Sequence, residues 1–265
     1  MTSIYTNNYS SFGNYNNYQS SHKKKENDAQ NLAISAAGLG VASVAIQKLS
    51  GVLADKLMQG EEFTTPENIT KVADDMLTSN GLQNTVKVGF IDQNNVDKFI
   101  RQHGEAWTGS LQTVAEGKNA FYADGLKLAV APKSKPSLIL HELGHAINAN
   151  KDGLMKVLQK TRGLSTYAPT ALLFLAPLFH KKDENNKKNF IKDNAGLLGF
   201  AAFLPTIIEE GMASLRGIKA AGQKLGNAVD LKHLKRNYAL AWGTYVLAGV
   251  GLGIAAKQSV IQEQT

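Results

Sequence analysis

Cysteine is absent from all 265 residues of the chain. This absence excludes a disulfide framework, a thiolate zinc site and a thiol nucleophile, so any metal would have to be held by histidine, aspartate or glutamate. The chain also has no apolar stretch behind an early basic cluster, which predicts that its first residues are not a cleavable secretory signal. Because no nucleic-acid-binding motif is present, the net charge of +7 favours a lipid surface as partner, or serves solubility, rather than nucleic acid.

Apolar residues make up 43% of the chain but are gathered into a few dense runs, which predicts one substantial folded unit with additions. Residues 1–30 are rich in Asn, Ser and Tyr, and we expect them to form a disordered tail. Residues 31–58 predict an apolar, small-residue helix that either spans a membrane or lies on its surface or on the soluble core. The main domain is expected at 59–237, followed by a transmembrane helix at 238–257 and a short tail at 258–265.

Local patterns predict the elements before the central motif. Thr65-Pro66-Glu67 is typical of a helix start, and a glycine at 81 ends the helix that follows. Residues 85–91 alternate like a strand, and residues 96–102 have helical character. Residues 119–132 predict two short strands around Asp124-Gly125, with the glycine supplying the positive φ of a tight turn.

The motif HELGH at residues 141–145 combines residue identity and spacing in a way that specifies a chemistry. On a helix, His141 and His145 project from the same face and can hold one zinc ion. Glu142 borders that face, where a carboxylate can act as general base toward a water on the metal. The alternative is a solvated helix that carries two histidines by chance.

A zinc site with two histidines needs a third protein ligand. The segment EEGMASLRG at residues 209–217 ends an apolar helix, and small residues lie one turn after Glu210, so this helix could approach the HELGH helix at its own small residue, Gly144. We therefore expect Glu210 to be the third ligand and keep Glu209 as the alternative metal ligand. The competing interpretation is that these acids neutralise nearby Arg216 and Lys219.

Three apolar runs indicate contact with a membrane. Residues 167–179 and 195–208, joined by a polar loop, predict either a membrane hairpin or a buried hairpin of a soluble core. Residues 238–256 carry no charge, begin with aromatic side chains and follow a basic stretch, as in a transmembrane helix. Lysine and arginine are more frequent on the motif side of the hairpin, so we expect a multi-pass membrane protein with its site on the cytoplasmic side.

The strand that leads into the HELGH helix, at residues 126–131, has a possible role in substrate binding. An edge strand here would let an extended peptide add to the sheet by main-chain hydrogen bonds and present its carbonyl to the metal. The candidate substrate-binding residues are Asn119, Leu126, Leu128 and Val130. An ordinary structural hairpin explains the same pattern equally well.

Other HExxH arrangements are excluded by the surrounding residues. A metzincin would need glycine and histidine where this chain has Asn148 and Lys151, and a deformylase would need a cysteine ligand. An intramembrane protease would use a distant Asp-Gly pair, but the only pair after the motif, at residues 152–153, lies next to the same helix. What remains is the His-His-Glu set of the gluzincins.

The segments NAF at 119–121, HELGHA at 141–146 and E-x-x-A at 210–213 resemble the membrane-bound zinc metallopeptidases related to the HtpX heat-shock protease and the CAAX prenyl protease. This resemblance implies a zincin-like core in which His141, His145 and Glu210 bind zinc and Glu142 is the general base. It also implies that the strand after residue 125 is the substrate edge. Ser214 stands where the family has an acid, so we expect the first histidine to be oriented by some other group. The insertion at 92–118 is longer than the family pattern.

Together these observations predict a mainly α-helical protein with a small β-sheet (α+β) that works as a zinc-dependent endopeptidase at a membrane. Its cofactor would be Zn²⁺, and its partners a peptide or protein substrate and lipid, with no nucleic acid. The alternative is a catalytically inactive, membrane-associated scaffold that keeps the fold. The pattern specifies neither the substrate sequence nor an oligomeric state.

Overall fold

The computed structural model describes residues 64–150, 153–161, 190–224 and 228–262, together with the single positions 48, 49, 52, 53, 56 and 62. This part of the chain is mainly helical, with one small three-stranded sheet and two long apolar helices. The expectation of a mainly α protein with a small sheet is therefore confirmed. The predicted tail at 1–30, most of the predicted helix at 31–58 and the apolar run at 167–179 lie outside the described residues.

The elements, in chain order, are α1 Pro66–Thr78, β1 Lys87–Ile91, α2 Val96–His103, α3 Thr108–Ala115, β2 Phe121–Ala123, β3 Leu128–Pro132, α4 Ile139–Asn150, α5 Leu154–Thr161, α6 Phe190–Lys224 and α7 Ala228–Gln262.

Helix α1 begins where its sequence predicts. The Thr65 hydroxyl accepts a hydrogen bond from the Asn68 backbone nitrogen at 3.4 Å, and Pro66 occupies the first turn. Its apolar residues recur at helical spacing, and this face is buried against the rest of the core. The helix therefore serves as scaffold beside α4.

The sheet has the strand order β1-β3-β2, with β1 parallel and β2 antiparallel to β3. Lys87 pairs with Leu128 at one end, and Phe121 pairs with Val130 on the other side. The expectation that the strand before the HELGH helix is an edge strand is therefore wrong, because β3 is hydrogen-bonded on both sides. The turn between β2 and β3 also differs from the prediction, since the positive φ, at 48°, belongs to Lys127 and not to the glycine at 125.

Two helical layers cover the two faces of the sheet. Helices α1 and α4 cover one face, where they pack against Ala129 and Ala131 of β3. On the other face, Leu128 and Val130 pack with residues of α2 and α3. The segment at 92–118 thus forms the second layer, because the alternating side chains of β3 give this face an apolar surface that must be covered.

Helices α6 and α7 form a close antiparallel pair. The predicted apolar run at 195–208 and the acidic segment at 209–217 belong to one continuous helix of 35 residues, and the predicted domain boundary at 237/238 falls inside α7. A Cβ built on Gly253 would lie 2.6 Å from the carbonyl oxygen of Gly196, so small residues permit this contact. Residues Asp193–Lys224 and Asp230–Gln258 are long and apolar enough to cross a membrane, which suggests membrane association.

Candidate metal centre

Helix α4 positions both histidines. A single 3₁₀ turn, Pro136–Leu138, leads into the helix, and His141 and His145 then lie one turn apart on the side that faces α6. A Cβ added to Gly144 would lie 2.6 Å from the Cα of Ala213, so the two backbones touch at this glycine. The prediction that small residues allow this approach is confirmed for Gly144 and Ala213. Gly211, in the same segment of α6, lies against Trp242 of α7.

Three side-chain atoms converge where the two helices meet. The Nε2 atoms of His141 and His145 are 3.0 Å apart, and Glu210 Oε2 lies 3.2 Å from the first and 3.3 Å from the second. Ligand atoms in a tetrahedral zinc site with bonds of about 2.0–2.1 Å are separated by about 3.3 Å. The spacing and the donor types, two imidazole nitrogens and one carboxylate oxygen, therefore fit a zinc ion, and the three residues could hold a metal.

Glu209 contacts the opposite side of the His145 ring. Its Oε1 lies 2.8 Å from His145 Nδ1, while Nε2 of the same ring faces the cluster. Asn148 donates to the same carboxylate oxygen at 2.9 Å, and Arg216 Nε donates to Asn148 Oδ1 at 2.8 Å. With its amide nitrogen facing the carboxylate, Gln159 also donates to Glu209. This placement makes Glu209 a group that orients His145, in contrast to its alternative assignment as a metal ligand.

The ring of His141 is held by two groups. Its Nδ1 lies 3.1 Å from Ser214 Oγ, and the buried ring of Tyr238 meets it edge-on with centroids 5.5 Å apart. The Tyr238 hydroxyl donates to the carbonyl of Ser137 at 2.7 Å, which fixes the aromatic ring against the start of α4. The expectation that some group other than Ser214 must orient this histidine is therefore wrong, because the serine hydroxyl itself lies at hydrogen-bonding distance from Nδ1.

The cluster concentrates negative charge in a buried region. Glu209 and Glu210 are fully buried, and Glu142 is 6% exposed. Burial by itself lowers the pKa of His145, but the hydrogen bonds that its ring donates to Glu209 and Glu210, and the charge of Glu142, outweigh burial and raise this pKa to about 10. The surroundings of this histidine thus favour a positive charge, which either a proton or a metal ion can supply.

The proposed substrate residues are not brought together at the cluster. Leu128 and Val130 are buried in the layer formed with α2 and α3, on the face of the sheet away from α4, and Leu126 packs against the same layer. Only Asn119 is exposed, immediately before the edge strand β2. The structure thus places the side chains of Leu126, Leu128 and Val130 in the core.

Several residues around the metal centre were not predicted as part of it. Asn148 follows His145 by three positions, which is a helical spacing that could have indicated a neighbour of the ligand. Tyr238 lies more than ninety residues after the motif, and no local pattern connects it with His141. No family model, curated protein or solved structure matches the chain.

Proposed function

We propose that this chain is a zinc-dependent endopeptidase of the gluzincin type that acts at a membrane. The observation that carries the proposal is the convergence of His141, His145 and Glu210 within 3.3 Å beside the buried Glu142. This is the donor set that the resemblance to the HtpX and CAAX prenyl proteases implies. The two histidines and the general base come from one helix, and the third ligand comes from the helix packed closest to it.

The reaction would divide the chemistry between the metal and the chain. Zn²⁺, when held by the three residues, supplies Lewis acidity that polarises a peptide carbonyl and makes a water molecule acidic near neutral pH. Glu142 accepts the proton of that water and donates it to the leaving amine. Glu142 is 6% exposed, so it would act in a site from which most water is excluded.

Glu209 and Ser214 would keep the two imidazoles in the tautomer that presents Nε2 to the metal. Each faces an Nδ1 atom, at 2.8 Å and 3.1 Å respectively, and each can accept a hydrogen bond from it. Fixing both rings in this way pre-organises the site, since no side-chain rotation is needed when the metal binds.

The substrate would bind along β2, Phe121–Ala123, which is the open edge of the sheet on the side of α4. β2 runs antiparallel to β3, and β3 leads into α4, so residues just before Phe121 lie toward the beginning of α4, where His141 is located. An extended peptide added at this edge would pass near the metal, and Asn119 is the exposed residue at that point.

The apolar halves of α6 and α7 would hold the enzyme at the membrane. Large apolar side chains on these helices are exposed, including Leu197, Leu204 and Ile208 of α6 and Val250 of α7. Of the apolar window in α7, 17% is buried, which differs from a helix at the centre of a soluble core. The polar ends of the same helices, from Glu209 onward in α6, carry the metal centre, so the site would lie at the membrane boundary.

The substitution Glu142→Gln tests the mechanism. We expect the purified full-length variant to bind zinc in a 1:1 ratio, because the ligands are unchanged, and to hydrolyse a labelled unfolded protein about 10²- to 10⁴-fold more slowly, because the general base is lost. Glu116→Gln, at an exposed glutamate paired with Lys118, is the matched control and should retain full activity. Undiminished hydrolysis by Glu142→Gln would contradict the mechanism, and wild-type protein that binds no stoichiometric zinc would instead favour the scaffold alternative.

A further inference from the structure

A second polar site lies between α1 and α6, beside the metal centre but separate from it. The two helices and Ile147 of α4 enclose a groove of about 430 Å³. This volume falls within the range of small-molecule sites in proteins. Its polar lining includes Asp75 of α1 and Arg216, Lys219, Gln223 and Lys224 of α6.

The polar side of this groove carries an excess of positive charge. Lys224 pairs with Asp75 at 3.0 Å, so these two charges compensate one another. Within the part of the chain that the structure describes, no carboxylate lies within ion-pair distance of Arg216 or Lys219. The groove therefore presents two cations that an anionic ligand would neutralise.

The donors are arranged on one face of α6. Arg216, Lys219 and Gln223 are spaced at i, i+3 and i+7, so their side chains emerge along one line that borders the groove. Arg216 Nε donates a hydrogen bond to Asn148 Oδ1 at 2.8 Å, which uses one of its five N–H donors. This bond holds the guanidinium at the groove wall. Its position is therefore fixed before any ligand binds.

We propose that this groove binds a phosphate group, with Arg216 and Lys219 as its charged contacts and Gln223 as a neutral donor. The guanidinium of Arg216 can donate two parallel hydrogen bonds to two oxygens of a phosphate. A phosphate can carry a second negative charge, which a carboxylate cannot, and the ammonium of Lys219 would neutralise it. The proposal does not depend on zinc or on hydrolysis, because none of the three residues is a candidate ligand or the general base.

The phosphate could belong to a soluble molecule or to a lipid headgroup. The groove lies on the polar half of α6, beyond the apolar run at 195–208, where a helix that enters a membrane would meet the headgroups. The two sources share the same chemistry at the protein and differ in whether the phosphate must be presented on a bilayer. An experiment with both forms distinguishes them.

Full-length protein, purified in detergent and freed of unbound metal, is titrated with inorganic phosphate while its thermal unfolding is followed. A parallel series measures co-flotation with phosphatidylcholine vesicles that either lack or contain phosphatidic acid. The variant Lys219→Gln removes one exposed cation of the groove, and Lys232→Gln removes an exposed cation of α7 outside it. Zinc content and melting temperature without phosphate verify that both variants fold.

We expect Lys219→Gln to weaken phosphate binding about tenfold or more, as the loss of one charge-assisted hydrogen bond predicts, while Lys232→Gln binds like wild type. If only phosphatidic acid vesicles show this difference, the ligand is a lipid headgroup. If inorganic phosphate shows it as well, the phosphate need not be on a bilayer. Equal affinities for Lys219→Gln and wild type in both series, equal losses for the two variants, or no saturable binding in either series would overturn the proposal.

Discussion

The substitution Glu209→Gln tests the different roles of two adjacent glutamates, Glu209 and Glu210. From the sequence, Glu210 was the expected metal ligand and Glu209 the alternative. In the structure the Glu209 carboxylate lies 2.8 Å from His145 Nδ1 and accepts from Asn148 at 2.9 Å, while Glu210 faces the Nε2 atoms of both histidines. Glutamine has nearly the same size and keeps one oxygen that can accept from Nδ1. The variant therefore removes the negative charge behind His145 while leaving the three candidate ligands in place.

The size of the effect follows from that contact. A hydrogen bond to a charged group contributes about 1.5–3 kcal/mol, against about 1 kcal/mol for a neutral pair. Carboxylates that hold a ligating histidine typically change metal affinity by about 10- to 100-fold, which corresponds to about 1.4–2.7 kcal/mol. We expect Glu209→Gln to raise the zinc dissociation constant within this range. Glu210→Gln should raise it by much more, because a charged ligand is lost.

Competition with a chromophoric chelator at neutral pH measures both affinities on the full-length protein. Asn148→Asp serves as a further comparison. It places a second negative charge beside Glu209, and it replaces the amide group that donates to the Glu209 carboxylate with an acceptor. If Glu209→Gln binds zinc as tightly as wild type, Glu209 has no role in positioning His145. If Glu209→Gln loses zinc and Glu210→Gln retains it, Glu209 is the metal ligand, and the roles assigned to the two glutamates are wrong.

Two further predictions concern packing and protonation. Gly144→Ala should destabilise the protein by about 1–3 kcal/mol, because the new methyl group would overlap the Ala213 backbone. Gly109→Ala in α3 has open space and should be neutral or slightly stabilising, so similar melting temperatures for the two variants would contradict the close helix contact. For metal-free protein, the raised pKa of His145 means that its stabilising contribution is present below about pH 6.5 and is lost as the pH rises through about 10. The melting temperature of the metal-free form should therefore fall between neutral pH and pH 10, while that of the zinc-loaded form should not. A metal-free form that is more stable at pH 10 than at neutral pH would refute this.

Helices α1 and α4 were predictable from the sequence because their signals are local. Thr65 and Pro66 mark the start of α1 through a cap and a fixed φ, and these depend on no distant residue. The two histidines of α4 are likewise related by helical spacing alone. The continuation of the apolar run at 195–208 into the acidic segment at 209–217 was also predicted, and helix α6 confirms it.

The strand order could not be read from the sequence, because pairing depends on distant segments. Ile91 of β1 pairs with Pro132 of β3 across an intervening pair of helices and strand β2. Alternation in β3 shows that two sets of side chains point to opposite faces, but it does not state which face meets the metal helix. The position of Leu128 and Val130 on the face away from the metal helix could not be predicted for this reason, since both faces of the central strand are buried and both carry apolar residues.

The two histidines of the candidate metal centre differ in the groups that hold them. A serine hydroxyl holds His141 without adding charge, while the neighbouring helix turn supplies Glu209 behind His145. The buried region thus contains Glu142, Glu209 and Glu210, and three desolvated carboxylates are costly unless positive charge is placed among them. A proton on His145 supplies one such charge and a zinc ion supplies two. The ion would offset more of this repulsion than the proton does, which supports the proposal that the site holds a divalent metal.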